Sequence, residues 1–344
     1  MKDVAKLANV SIQTVSVVVN NKPDIAPETR ARVLSAIETL GYQPYTVARS
    51  LRTGATRTIA LIVSDITNPF FASMANTVEY YAHEAGYSVI LHNTHSDLDR
   101  EQKYIELALQ RGVDGMLFVA TKDEMPGLDS LEAAGTRVVA IDRVPDNFNG
   151  PTLTLNNIKT GVLVAEHLLE LGHTRLAHIG GPLDLHLSRD RMNGFHDTIR
   201  ARGLEPGPVA FSDSSWSARS GYEAMQTLLD QDPLPTAVFA ANDRVAIGAM
   251  GAITQAGLRI PEDISIVGVD DIEFSMYQTP PLTTVRQSLE DIATLGIKTL
   301  LDILEQREPE RTHIAFEPML IVRGSTGAPI DRTPYSEKGP PVPE

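Results

Sequence analysis

Apolar and polar positions follow two rhythms along this chain. In the first forty residues apolar side chains recur at helical spacing. Val4, Ala5, Leu7 and Ala8 form a short stripe that stops at Asn9, a residue that tolerates the left-handed backbone of a tight turn. Ser11 then serves as N-cap for a second helix, whose Val15, Val18 and Val19 can pack back on the first. A third helix starts at Pro27-Glu28, carries Val33, Ile37 and Leu40 on its apolar face and stops at Gly41. The first two make a helix-turn-helix, whose second helix enters a DNA major groove in known examples. Tyr42 to Gly54 reads as a linker with a short potential helix, Thr46 to Leu51. Leu51 ends that helix with no evident core to enter.

From Thr58 the rhythm changes. Continuous apolar runs alternate with amphipathic stretches of helical length. The runs are Ile59–Val63, Val89–Leu91, Met116–Val119 and Val138–Ile141, then Leu176–Ile179, Ala237–Ala240 and Ile264–Val267. That pattern predicts parallel sheets covered on both faces, here in two series separated by the loop Pro145 to Thr152. A last helix (about Leu289 to Gln306) and a last strand (about His313 to Val322) follow both series, so the chain recrosses between lobes. The end, Gly324 to Glu344, is rich in Pro, Gly and charge and reads as a disordered tail.

Charge divides the chain at the same place. Up to Thr58 there are eight Lys/Arg against four Asp/Glu, a net of +4, whereas the whole chain carries −14. A basic head on an acidic body favours phosphate contact at one end only. The absence of cysteine excludes disulfides, thiolate metal sites and a Cys nucleophile, and fits a reducing compartment. With neither an 18-residue apolar run nor a signal-peptide pattern, a cytoplasmic protein without a membrane span is expected.

The expected strand ends are polar: Ser64-Asp65, Asp142-Arg143, Asn242-Asp243 and Asp270-Asp271. Ligands of open parallel sheets bind beyond such ends. Each Asp or Asn can instead cap the next helix, the reading preferred for Asp243. Carboxylates and amides converging on one cleft suit a polyhydroxylated ligand, and Arg191 offers a fixed fork of donors. Trp216, the only tryptophan, sits in a polar segment before a helix. It can cover a sugar face, stack on a base, or simply pack. His92 and His95 lack companions for a metal site. No nucleophile elbow, phosphate loop, zinc-protease helix or dinucleotide fingerprint occurs, so neither an enzyme nor a cofactor is expected.

Eight short strings in order resemble the lactose-repressor-like (LacI/GalR) family of transcription regulators from Lys2 to about Gly327. They include Val10-Ser11-x-x-Thr14-Val15-Ser16, Leu40-Gly41-Tyr42-x-Pro44, Asn68-Pro69-Phe70-Phe71, Ala241-Asn242-Asp243-x-x-Ala246-x-Gly248 and Pro281-Leu282-Thr283-Thr284-Val285. The resemblance implies an all-α helix-turn-helix headpiece and an α/β, two-lobed, periplasmic-binding-protein-like sensor whose lobes share three crossovers. It further implies a homodimer on pseudo-palindromic double-stranded operator DNA. DNA contact is carried over to Ser11, Ile12, Gln13, Thr14, Ser16, Val17, Asn20, Thr29, Arg49 and Leu51, with Leu51 wedging into the minor groove. Effector contact is carried over to Asp142, Arg191, Trp216, Asn242 and Asp270, with Asp65, Phe70 and Gln287 at neighbouring cleft positions.

Two departures from the family matter. Val17 stands where Arg or Asn is usual and cannot bond guanine. Gln13 is then the hydrogen-bonding member of the base-reading set Ile12, Gln13 and Val17, and heavier reliance on phosphate contacts and DNA shape follows. The tail lacks a leucine heptad, so tetramers are not expected.

The resulting domain plan is 1–44 headpiece, 45–57 hinge helix and linker, 58–327 sensor and 328–344 tail. Lobe one takes 58–156 and 287–313, and lobe two takes 157–286 and 314–327. The expected function is repression controlled by a small sugar, a mono- or oligosaccharide. A purine- or nucleoside-responsive regulator, an activator, and a solute-binding protein of a sugar transporter stay open as alternatives. The last would have no use for Lys2 to Arg52.

Overall fold

A computed structural model describes residues 1–19, 23, 25–42 and 55–330. The expectations placed on Asn20, Arg49, Leu51, the helix Thr46 to Leu51 and residues 331–344 lie outside the described residues. The chain divides into two compact units, Met1–Arg57 and Thr58–Glu344.

The first unit holds α1 (Lys2–Leu7), α2 (Ile12–Val19) and α3 (Pro27–Thr39). Asn9 turns the chain with φ 51°. The Ser11 hydroxyl accepts from Thr14 N at 3.1 Å, capping α2. Val4, Ala5, Ala8, Val15, Val18, Val33 and Ala36 form the core, with Val19 and Ile37 packed against it. Leu7 and Leu40, expected in that core, are exposed instead. Leu7 lies roughly 100° round α1 from the centre of the Val4, Ala5, Ala8 face. Leu40 is the C-cap of α3, beyond the last inward-facing turn.

The second unit is two six-stranded sheets. Lobe one orders its strands β11-β5-β4-β3-β1-β2 and lobe two β12-β10-β9-β8-β6-β7. Lobe one takes β1 (Thr58–Val63), α4 (Pro69–Glu84), β2 (Ser88–Asn93), α5 (Leu98–Gln110), β3 (Gly115–Phe118), α6 (Leu128–Ala133), β4 (Arg137–Ile141) and β5 (Thr152–Leu155). The chain then crosses to lobe two. There it forms α7 (Asn157–Glu170), β6 (Leu176–Gly180), α8 (His186–Ala201), β7 (Val209–Phe211), α9 (Ala218–Leu229) and β8 (Ala237–Ala240). The lobe continues with α10 (Asp243–Gln255), β9 (Ser265–Asp270), α11 (Glu273–Met276) and β10 (Thr283–Arg286). It returns for α12 (Leu289–Leu304) and β11 (His313–Phe316), and crosses a third time to β12 (Met319–Ile321).

All strand pairs are parallel except β10 with β12. Buried apolar residues cover both faces of each sheet, which is why the central strands read as unbroken apolar runs.

Two expectations need correction. The last strand, His313 to Val322, is two strands in different sheets. Pro318 separates them and has no N–H to donate to a ladder. Residues 314–316 therefore belong to lobe one, not lobe two. The stretch from Gly324 is also not free at its start. Ser325 is fully buried, its hydroxyl accepting from Thr283 N and donating to Ile266 O, and Gly327 N donates to Ser265 Oγ at 3.0 Å. Polar backbone finds partners there, which composition alone does not reveal.

Candidate functional site

In the first unit, Ile12 and Gln13 are exposed at the start of α2, while Thr14, Ser16 and Val17 are half-buried. Ser11 and Thr14 join hydroxyls at 2.9 Å. Thr29 is half-buried in the first turn of α3. The inward side of α2 is spent on Val15 and Val18, and its exposed start carries Ile12 and Gln13.

In the second unit, residues from strand ends of both lobes converge. Asn68, Phe70, Phe71, Asp142 and Arg143 come from lobe one, and Leu187, Arg191, Trp216, Asn242 and Asp270 from lobe two, with Gln287 at a crossing. Pro69 and the Asn68 cap start α4 so that Phe70 and Phe71 lie at its first turn. Asn242 caps α10 through Val245 N at 2.9 Å and lines the cleft as well. It thus takes the capping role expected of Asp243. Asp243 is turned inward and accepts from Ile272 N, Ser275 Oγ and Thr284 Oγ1.

Arg191 projects from α8, which approaches α7 so closely that a Cβ on Gly161 or Gly194 would overlap the backbone of the facing helix. Its Nε donates to Asn157 Oδ1 at 2.9 Å and its Nη1 to Ala241 O at 2.8 Å. Trp216, 5% exposed, lies against Gly181, where any Cβ would strike the indole. Asp142, Trp216 and Asp270 all hold positive φ (63°, 50° and 117°). Such strain is costly in non-glycine residues and clusters at functional sites.

The cavity these residues enclose is small, about 20 Å³, room for little more than one water. It is the waist of a longer groove. At Asp142, Arg143 and Leu187 it meets a cavity of about 180 Å³, and at Phe70, Asp270 and Gln287 an open one of about 970 Å³. A ligand larger than water therefore needs the lobes or side chains to move.

Burial dominates the electrostatics. It pushes the Asp142 carboxyl up despite Arg143 and Arg191, and the Asp270 carboxyl well up despite Arg191. Burial also lowers the affinity of Arg143 and Arg191 for their protons. Asp270 accepts from Gln287 Nε2 at 2.7 Å.

Of the residues expected at the cleft, Asp65 does not line the cavity. Its Oδ2 pairs with Arg244 across the lobes at 2.7 Å and its Oδ1 accepts from Thr67. Burial alone would raise its carboxyl, but Thr67 and Arg244 bring it below the ordinary value. Asn68, Phe71, Arg143 and Leu187 also line the waist; the sequence does not single them out as contacts, although Phe71 adjoins Phe70 and Arg143 adjoins Asp142. At the groove's edge Asp123 pairs with Arg189 at 2.7 Å, His186 with Asp146 at 2.7 Å, and Lys122 with Asp184. Among the described residues no group of acidic or histidine side chains is placed to hold a metal, and no helix is long and apolar enough to cross a membrane.

The family description "Bacterial regulatory proteins, lacI family" matches residues 1–45, and "Periplasmic binding protein-like domain" matches residues 165–326. The HTH-type transcriptional repressor PurR of Aliivibrio salmonicida (strain LFI1238) is 36% identical over 94% of this chain and 98% of its own. The chain belongs to the lacI family of bacterial regulatory proteins. Another lacI-family relative, the ribose operon repressor of Escherichia coli (strain K12), is 35% identical over 94% of this chain and 99% of its own. The lac repressor dimer bound to operator and the anti-inducer ONPF superposes with a TM-score of 0.84 at 30% identity, over 95% of this chain and 98% of that one. The helix-turn-helix headpiece and two-lobed sensor are thus the lacI-family architecture, and the chain is a DNA-binding transcription regulator.

Proposed function

We propose that this lacI-family regulator represses transcription and that a small sugar, held between the sensor lobes, controls its operator affinity. The observation that carries this reading is the convergence of Asp142, Arg191, Trp216, Asn242 and Asp270 on one enclosed waist. Carboxyl, amide and guanidinium groups exchange hydrogen bonds with vicinal hydroxyls, and an indole covers the apolar ring face. The likeness to a ribose operon repressor supports the same ligand class.

Ligand entry changes the angle between lobes, and the linker carries the change to the headpiece. A coupling of about 1–3 kcal/mol shifts operator affinity roughly 5- to 150-fold. Two headpieces are presented by a homodimer. The exposed Phe274, Met276 and Tyr277 on one turn of lobe two are an apolar surface suited to that contact.

Ser11, Ile12, Gln13, Thr14, Ser16, Val17 and Thr29 meet the operator. With Val17 in place of a hydrogen-bonding residue, Gln13 reads base edges and much of the remaining selectivity comes from DNA shape. Val17→Arg is expected to change the sequences recovered when the protein selects from random duplexes; an unchanged set counts against this assignment. Mobility shift on the recovered duplex with and without sugars tests the main reading. Release by a sugar supports it, release only by purine bases replaces the ligand class, and no salt-sensitive DNA binding at all removes it.

A further inference from the structure

We propose that the ligand of the inter-lobe waist is an acidic sugar, whose carboxylate or phosphate is received by Arg143 together with Arg191. This rests on the waist being the effector site.

Three residues of the waist have a buried polar atom without a partner among the described residues, Trp216 at Nε1, Gln287 at Oε1 and Arg143 at Nε, and only Arg143 carries a charge. Its side chain is 8% exposed. Among the described residues it makes no side-chain hydrogen bond, and its enclosed Nε has no acceptor. The nearest carboxylate oxygen, Asp142 Oδ2, stands 3.9 Å from Nε, too far for a hydrogen bond. The guanidinium is nevertheless held in place, 5.8 Å from the Phe71 ring centre and 5.4 Å from that of Trp216. These contacts steady the cation from both lobes without occupying its N–H donors. Enclosed polar groups are nearly always bonded, and enclosed charges are nearly always paired. Among the described residues Arg143 has no side-chain hydrogen bond, and its one ion pair, with Asp142, is too long to satisfy an N–H.

Arg191 adds to the demand. Its Nε and Nη1 are spent on Asn157 and Ala241 O, while Nη2 has no hydrogen bond among the described residues. Two guanidiniums therefore face one small space. The carboxyls beside them are poor counter-charges. Asp270 is engaged by Gln287, and burial disfavours the charged form of both Asp142 and Asp270 despite the neighbouring guanidiniums.

A neutral sugar would supply acceptors but no further counter-charge for two guanidiniums enclosed side by side. An anionic substituent meets both needs, and the planar fork of Arg matches carboxylate and phosphate oxygens alike. Trp216, seated on Gly181, still offers a face for the ring that bears the anion.

The test is titration calorimetry on the full chain with matched compounds: galactose against galacturonate, glucose against glucuronate and glucose 6-phosphate, ribose against ribose 5-phosphate. At least one acid is expected to bind roughly 10- to 100-fold tighter than its neutral partner. Whether that acid is a carboxylate or a phosphate identifies the source of the anion. Arg143→Gln is expected to erase the difference, and Arg143→Lys to keep much of it. Circular dichroism checks both folds. Should neither variant fold, competition by inorganic sulfate in the unaltered protein is the expected sign of the anion subsite, and its absence counts against one. A neutral sugar that binds as tightly as its acid overturns the proposal while leaving the waist as an effector site. Binding that survives Trp216→Ala unchanged, or no binding by any compound, removes the effector site and the proposal together.

Discussion

Arg191 and His178 are two enclosed groups with different consequences. Arg191→Met strands Asn157 Oδ1 and Ala241 O. It is expected to cost about 1–3 kcal/mol in urea unfolding, besides abolishing ligand heat in calorimetry. His178 is fully enclosed in lobe two, stacked on Phe239. Burial pushes its imidazole down to about 3, although Phe239 O partly opposes this by bonding Nδ1. Its native affinity for a proton is thus below the ordinary 6.5 of the unfolded chain. The unfolded chain takes up a proton that the native one refuses, so stability is complete above 6.5 and is lost as pH falls toward 3. His178→Gln should flatten that acid limb in a plot of urea midpoint against pH; an unaltered slope refutes the assignment. Position at the cleft was legible where residue type and strand end coincided, as with the lone Trp216 and the strand-end Asp142 and Asp270. It was not legible for Asp65, whose partner Arg244 lies 179 positions away, nor for Arg143, whose entry into the waist depends on the turn at Asp142.

The packing of α7 on α8 sets the aim of Arg191. Gly→Ala inside a helix ordinarily stabilises it by about 1 kcal/mol. At Gly194 the added Cβ would overlap Ile158 O of α7. Gly194→Ala is therefore expected to reverse that sign, costing roughly 1–3 kcal/mol by overpacking, visible as a lower melting temperature. In the headpiece, Ser11→Ala removes the bond to Thr14 N and should cost about 1 kcal/mol of α2 stability, read from helical circular dichroism on heating. Long elements announced themselves: every apolar run read as a strand is one. The overlooked strands, β5, β7 and β10, have three or four residues each. Thr152–Leu155 alternates too briefly to stand out, Val209–Phe211 spans three residues, and β10 opens with two threonines buried by their neighbours rather than by apolar character. Pro318 was visible in the sequence, but only the sheet order reveals that it hands the chain from one lobe to the other.

Across the whole sensor, Asp65–Arg244, Asp123–Arg189 and Lys122–Asp184 tie lobe to lobe around the groove. Partly exposed pairs contribute little singly, so their effect should emerge together. Asp65→Asn combined with Arg189→Met is expected to enlarge the radius of gyration in X-ray scattering, and high salt should produce part of that change in the unaltered protein. Thr67 and Arg244 outweigh burial and keep the Asp65 carboxyl below 3.8. Its share of the tie is therefore present above that pH and fades as acid protonates it. Two lobes and a cleft were legible from the double series of strands; the ties were not, because each joins a loop of lobe one to a residue of lobe two more than sixty positions away, a spacing that carries no period. Three passages between the lobes, near residues 156, 287 and 317, leave neither lobe a contiguous piece of chain. A single tether would let one lobe swivel freely about the other, whereas three tethers restrict them to bending about the line on which all three pivot. On the proposed function, ligand binding is thereby confined to one mechanical coordinate, and cutting any one tether should convert a directed bend into an undirected wobble.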